Sequence, residues 1–139
     1  MRVSAGHTNA TRDQLRRAID AGLALFTHLG NGCPAELPRH DNIIQRVLSL
    51  REELTVMFIA DGVHVPAFAL KNYIDLIGID RCVIVTDAIA PAGLGPGRYT
   101  LGRWDLTIGP DRVARSPDGS HLIGSAISMS IALANLENL

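Results

Sequence analysis

Four polar residues recur at one kind of place in this sequence. His7, His28, His64 and Asp87 each follow a short apolar run that reads as a β-strand. Imidazole and carboxylate are usual ligands for zinc or iron, and a carboxylate beside a metal-activated water takes its proton. Taken singly, a histidine after a strand is more often a hydrogen-bonded structural residue, and an aspartate there is more often a turn or helix cap. Taken together, three imidazoles and one carboxylate delivered by successive strands point to a metal site with hydrolytic chemistry. His40 and His121 lie in polar loops and read as surface residues.

The elements that must position these groups alternate strand, loop and helix. A strand candidate at 2–5 runs into Gly6-His7-Thr8-Asn9-Ala10. Thr11 reads as a helix N-cap with Gln14 at the capping-box position, and Leu15, Ala18, Ile19 and Gly22 share one face of the helix that follows. A strand at 24–27 ends at His28 and opens into a Gly/Pro-rich loop over 30–41. Helical spacing over 43–50 leads to an apolar strand at 55–60, closed by Asp61-Gly62-Val63-His64. A helix over 66–77 has Pro66 in its first turn, and a fourth apolar strand at 82–86 ends at Asp87. Continuous apolar strands are those of buried parallel sheets. Repeated strand–helix units predict an α/β protein, in which the C-terminal strand ends converge on the face that carries the site.

After Asp87 the pattern changes. A Gly/Pro/Ala loop covers 88–97, and short strands at 98–101, 104–108 and 113–115 are divided by turn residues. They predict a small antiparallel piece. Ser125 is expected to cap a final helix running to Leu139.

Bulk properties narrow the function. The 139 residues are 47% hydrophobic and 19% charged, enough for one sizeable core. A formal net charge of −1 provides no global field to attract nucleic acid or an anionic membrane. An aromatic content of 4% argues against a base-stacking surface. No apolar run approaches the ~20 residues of a bilayer span, and the first seven residues are too polar for a signal peptide. Cys33 and Cys82 have no metal-binding or redox spacing, and Cys82 lies in an apolar run that reads as core. Both are expected to be free thiols of a cytoplasmic protein.

The ordered set of motifs resembles a known family. Gly6-His7-Thr8-Asn9-Ala10, Phe26-Thr27-His28-Leu29, Asp61-Gly62-Val63-His64 and Val85-Thr86-Asp87-Ala88 are similar to four successive motifs of the N-acetylglucosamine-6-phosphate deacetylases, of the amidohydrolase superfamily. Ala92-Gly93-Leu94, Gly97-Arg98-Tyr99, Gly124-Ser125 and the stretch Ala132-Leu133-Ala134-Asn135-Leu136 extend the likeness over nearly the whole chain. The resemblance implies removal of the acetyl group from N-acetylglucosamine 6-phosphate, giving glucosamine 6-phosphate and acetate. It implies a divalent metal, zinc first, with iron, manganese or cobalt as alternatives. By the family pattern His7 and His28 would be metal ligands, and Asp87 the proton acceptor and donor. His64 would contact the substrate and help polarise the amide carbonyl. Asn31 and Gly32 would line the phosphate side of the substrate, and Arg39 lies near the family's phosphate-binding arginine.

Two departures from the family shape the expectations. An eight-stranded barrel typically needs ~250 residues, so the resemblance implies the C-terminal half of a TIM-type (β/α)8 barrel. That half would be residues 1–97, followed by a small β segment of an accessory domain at 98–124 and a C-terminal helix at 125–139. The family's metal-binding glutamate would lie outside this half, so the expected partner is a missing N-terminal half or a second copy of the chain. The loop over 30–41 also departs from the family's wording, which leaves two alternatives. One, decided at that loop, is an amidohydrolase acting on another amide; the other, favoured by the missing glutamate, is a non-catalytic half-barrel.

Overall fold

The computed structural model describes residues 1–139 throughout. The chain forms two compact units, one from Met1–Phe58 with Val65–Ile84 and one from Ile59–His64 with Val85–Leu139.

In the first unit, strand β1 (Val3–Ala5) leads to helix α1 (Arg12–Asp20), strand β2 (Leu23–Phe26) and helix α2 (Ile43–Leu48). Strand β3 (Thr55–Ile59), helix α3 (Ala67–Ile77), a 3-10 turn (Ile79–Arg81) and strand β4 (Cys82–Val85) complete the strand–helix repeats. The sheet order is β1-β2-β3-β4, and β1 and β3 both run parallel to β2. The α1 start follows the sequence closely. The Thr11 side chain accepts from the backbone N–H of Gln14, and the Gln14 side chain accepts from the Thr11 N–H at 2.7 Å. Asn42 caps α2 by a single side-chain bond, accepting from the Gln45 N–H at 3.0 Å.

Burial peaks on the middle strands. Phe26, Val56 and Phe58 are buried, as are Leu15 of α1 and Val47 of α2. Each such side chain contributes roughly 1.5–3 kcal/mol on leaving water. Phe58 stacks on Tyr73 with ring centroids 5.5 Å apart. The end strands are less buried than the middle ones. Val3 of β1 and Val83 of β4 remain exposed, and Cys82 is half-buried rather than in the core. A strand at the end of a sheet order has a neighbour on one side only, which periodicity alone does not reveal.

The second unit carries the antiparallel sheet. Strands β5 (Gly97–Leu101), β6 (Trp104–Ile108), β7 (Val113–Arg115) and β8 (Leu122–Ser125) follow one another in order. A two-residue turn opening on Gly102, at φ 61°, pairs Leu101 with Trp104. Leu106 and Ile108 alternate inward and pack with Ala114 and Ala126, flanked by Ile89 and Tyr99. Helix α4 (Met129–Leu136) is tied down by the Asn135 side chain, which donates to the Ala60 carbonyl at 2.9 Å.

The C-terminal expectation requires correction. Ser125 does not begin a helix; it ends β8, a strand absent from the sequence expectation, and α4 starts four residues later with Ser128 at its N-cap. The reason is that Ser125 spends its backbone on a bridge. Its N–H donates to the Asp87 carbonyl at 2.9 Å, and its carbonyl accepts from the Ile89 N–H at 3.0 Å.

Candidate active site

Parallel register places the first two histidines. Ala5 pairs with Phe26, and His7 and His28 each stand two residues beyond. Their rings meet edge to face, with centroids 4.8 Å apart and planes at 89°. Both backbones are left-handed, φ 48° for His7 and 35° for His28. Few residues with a Cβ adopt that conformation, although histidine and aspartate do so more readily than most. It turns the chain sharply at the strand end.

Two glycines make room for the pair. A Cβ on Gly6 would lie 2.5 Å from the Thr27 methyl, and one on Gly32 would lie 2.6 Å from Nδ1 of His7. Gly32 therefore lets the loop after β2 lie directly on the His7 ring. The same loop carries Asn31, whose N–H donates to the His28 carbonyl at 2.9 Å. Arg46 fixes the loop from below. It donates through Nε to Asp41 at 2.6 Å and through Nη1 to the Ala10 carbonyl at 3.1 Å, so it clasps the loops after β1 and β2 together. Asp41 is held below the usual carboxylate range, first by the hydrogen bond from Arg46. Arg39, by contrast, stands exposed, as does His40.

Two buried polar atoms in this region have no protein partner: Nδ1 of His28 and Nδ2 of Asn31. Buried polar groups are ordinarily hydrogen-bonded, so each of these atoms is suited to a ligand. The donor set fits a metal in kind, with two imidazoles from adjacent strands, but not in number. No group of three or more His, Cys, Asp or Glu forms a cluster that could hold a metal.

In the second unit, Asp61 stands two residues past β3, the same offset as His7 and His28. Its carboxylate meets Nδ1 of His64 at 2.6 Å and accepts the backbone N–H groups of Val63 at 2.9 Å and His64 at 2.8 Å. Burial pushes the Asp61 carboxyl up. The His64 ring and the two backbone donors outweigh it and hold the group below the ordinary carboxylate value. Asp61 was not singled out from the sequence, although the Asp-x-x-His spacing was a usable signal. Arg46 offered none, because its partners Asn9 and Ala10 lie more than thirty residues away.

Asp87 also stands two residues past its strand, β4, and is left-handed at φ 51°. Its carbonyl is pinned by the Ser125 N–H. Gly124, itself at φ 62°, passes so close that a Cβ there would lie 3.1 Å from the Asp87 carbonyl oxygen and 2.6 Å from Cγ2 of Ile89. Asp87 is exposed.

With an imidazole or a carboxylate two residues beyond each of β1–β4 and a separate antiparallel sheet, the chain is a mixed α/β protein. More narrowly, it is related over its whole length to the N-acetylglucosamine-6-phosphate deacetylases. The enzyme of that name from Lysinibacillus sphaericus is 31% identical over 137 residues, 99% of this chain and 35% of its own length. An N-acetylgalactosamine-6-phosphate deacetylase from Escherichia coli O157:H7 is 33% identical over 139 residues, 100% of this chain and 36% of its own. Among solved structures, the N-acetylglucosamine-6-phosphate deacetylase of Thermotoga maritima superposes with a TM-score of 0.85 at 32% identity, covering 97% of this chain and 36% of that one. A Mycobacterium smegmatis deacetylase, an aspartate-to-alanine variant in complex with N-acetyl-D-glucosamine-6-phosphate, gives 0.84 at 33% identity, covering 95% and 34%. The chain thus spans about a third of the length of the relatives it matches. No protein-family model matches it.

Proposed function

We propose that this chain is the C-terminal part of a metal-dependent deacetylase that converts N-acetylglucosamine 6-phosphate and water into glucosamine 6-phosphate and acetate. Residues 1–97 would form the last four βα units of a (β/α)8 barrel, 98–124 a segment of an accessory β-domain, and 125–139 its C-terminal tail. The observation that carries this reading is the edge-to-face His7–His28 pair with an unpartnered buried nitrogen on His28.

His7 and His28 would hold a divalent metal, zinc first, and one carboxylate ligand would come from outside this sequence or from a second copy of the chain. Such an ion supplies Lewis acidity toward the acyl oxygen and lowers the pKa of water. Asp87 accepts a proton from the attacking water and returns it to the departing amine, so one carboxylate serves both half-steps. The exposure of Asp87 on a pinned backbone supports that role. His64 contacts the acetyl group. Asn31, with a free buried amide nitrogen, and Gly32, with close backbone approach, face the phosphate side of the sugar. Arg39 is exposed and suits a phosphate contact from the loop. Two free thiols and a phosphorylated substrate favour a cytoplasmic site of action. No helix is long and apolar enough to cross a membrane.

A second reading concerns the sugar. A relative acting on the galactosamine epimer is 33% identical across all of this chain, and the 30–41 loop is where that choice would be made. The test is acetate release from N-acetylglucosamine 6-phosphate, its galactosamine epimer and unphosphorylated N-acetylglucosamine, with and without chelator. Chelator-sensitive, phosphate-dependent release, abolished by Asp87→Asn with metal retained, is the expected result. Release that survives Asp87→Asn would remove the acid–base assignment, and metal-free inert protein would leave a non-catalytic half-barrel.

A further inference from the structure

The residue after β3 that matches His7, His28 and Asp87 in offset is Asp61, not His64. His64 lies three residues further on, and its side chain is only 6% exposed; that of Asp61 is 3% exposed. The two hydrogen bonds His64 makes within this loop both go to one carboxylate: its backbone N–H to Oδ1 at 2.8 Å and its ring Nδ1 to Oδ2 at 2.6 Å. Oδ1 also takes the N–H of Val63 at 2.9 Å. The carboxylate therefore grips the histidine at backbone and ring together, and the ring has one orientation compatible with both bonds. Nε2 makes no hydrogen bond with the protein.

From this geometry we infer that Asp61 is a positioning residue that fixes the His64 ring with its proton on Nδ1 and presents Nε2 as the working atom of that histidine. An ionised carboxylate accepts and does not donate, so a ring nitrogen at 2.6 Å from it must carry the hydrogen. When His64 takes a second proton, at Nε2, the imidazolium has its countercharge already in contact. It then donates from Nε2 to an acyl oxygen without moving. The low pKa direction of Asp61 agrees, because it keeps the acceptor ionised across the neutral range. The role toward the acyl oxygen rests on the deacetylase reading above; the tautomer does not.

Long-range proton–nitrogen NMR on the ring-labelled chain decides the tautomer without any activity. The expected wild-type spectrum shows His64 protonated at Nδ1, alone or in the doubly protonated form. Asp61→Asn keeps an oxygen for the two backbone donors and turns an NH2 toward the ring. It is expected to shift neutral His64 to the form protonated at Nε2. A wild-type His64 that is neutral and protonated at Nε2 overturns the inference, and that result stands even where the variant fails to fold. In enzyme that releases acetate, Asp61→Asn is expected to lower kcat roughly 10–100-fold with KM nearly unchanged. The loss should shrink on an N-trifluoroacetyl substrate, whose carbonyl needs less polarisation. An equal loss on both substrates refutes the role at the acyl oxygen. Wild-type protein that releases no acetate defeats the deacetylase reading, while the spectrum still decides the pairing.

Discussion

Replacing Gly124 with alanine puts a methyl group where two neighbours already stand. The backbone there has φ 62°, a left-handed conformation that costs a residue with a Cβ about 1–2 kcal/mol. The new carbon would lie 2.6 Å from Cγ2 of Ile89 and 3.1 Å from the Asp87 carbonyl oxygen, where carbon contacts are most favourable near 3.5–4.0 Å. Overpacking of this kind adds about 1–3 kcal/mol, so Gly124→Ala should destabilise the second unit by about 2–5 kcal/mol in urea unfolding. The two clashes are separable. The Ile89 side chain is removable, whereas the Asp87 oxygen is backbone and already bonded to the Ser125 N–H. Ile89→Ala in the Gly124→Ala background should therefore be less damaging than the two changes summed, by about 1–2 kcal/mol, leaving the conformational cost and the Asp87 contact. A double-mutant cycle of urea midpoints measures this. Additivity within about 0.5 kcal/mol, or a single-mutant loss below 1 kcal/mol, would refute the close packing argued for Gly124, Ile89 and Asp87.

Three further outcomes are expected. Thr11→Ala should cost about 1 kcal/mol by removing half of the α1 capping box, while Thr11→Ser should be nearly silent in the same unfolding assay. Gly32→Ala should cost about 1–2 kcal/mol for its left-handed backbone and displace the ring resonances of both His7 and His28; unmoved resonances would disprove the contact between loop and ring. Asp61 has a folded-state pKa below its ordinary 3.8, so its stabilisation is complete above the unfolded value and is lost as pH falls through the folded one. The stability gap between wild type and Asp61→Asn should accordingly be widest near neutrality and close below about pH 4; a gap constant down to pH 2 would contradict the pairing.

The alternation of strand and helix was legible because each signal was local. Thr11 with Gln14 announces α1, apolar runs announce β2 and β3, and turn residues announce the breaks between the short antiparallel strands. What failed to show were features decided by partners far along the chain. β4 reads as buried from its residues, but its place at the end of the sheet order leaves Val83 exposed. β8 is hidden because Gly124 interrupts its pattern, and Ser125 looks like a cap until its backbone is seen bonded to Asp87 and Ile89. The candidate residues show the same division. His7, His28, His64 and Asp87 were visible as residue types after strands, whereas the clasp of Arg46 depends on Asn9 and Ala10, contacts no local spacing encodes.

The left-handed turn shared by His7, His28 and Asp87 has a consequence for anyone improving this protein. Each of these residues occupies a conformation in which glycine would be more comfortable, at a cost of order 1 kcal/mol apiece. A library selected only for thermal tolerance would thus be drawn toward glycine or asparagine at these three positions. Its most stable members would be those that had erased the imidazole pair and the carboxylate. On the proposed reading, screening for robustness and for turnover should pull in opposite directions here, and the two searches need to be run as one.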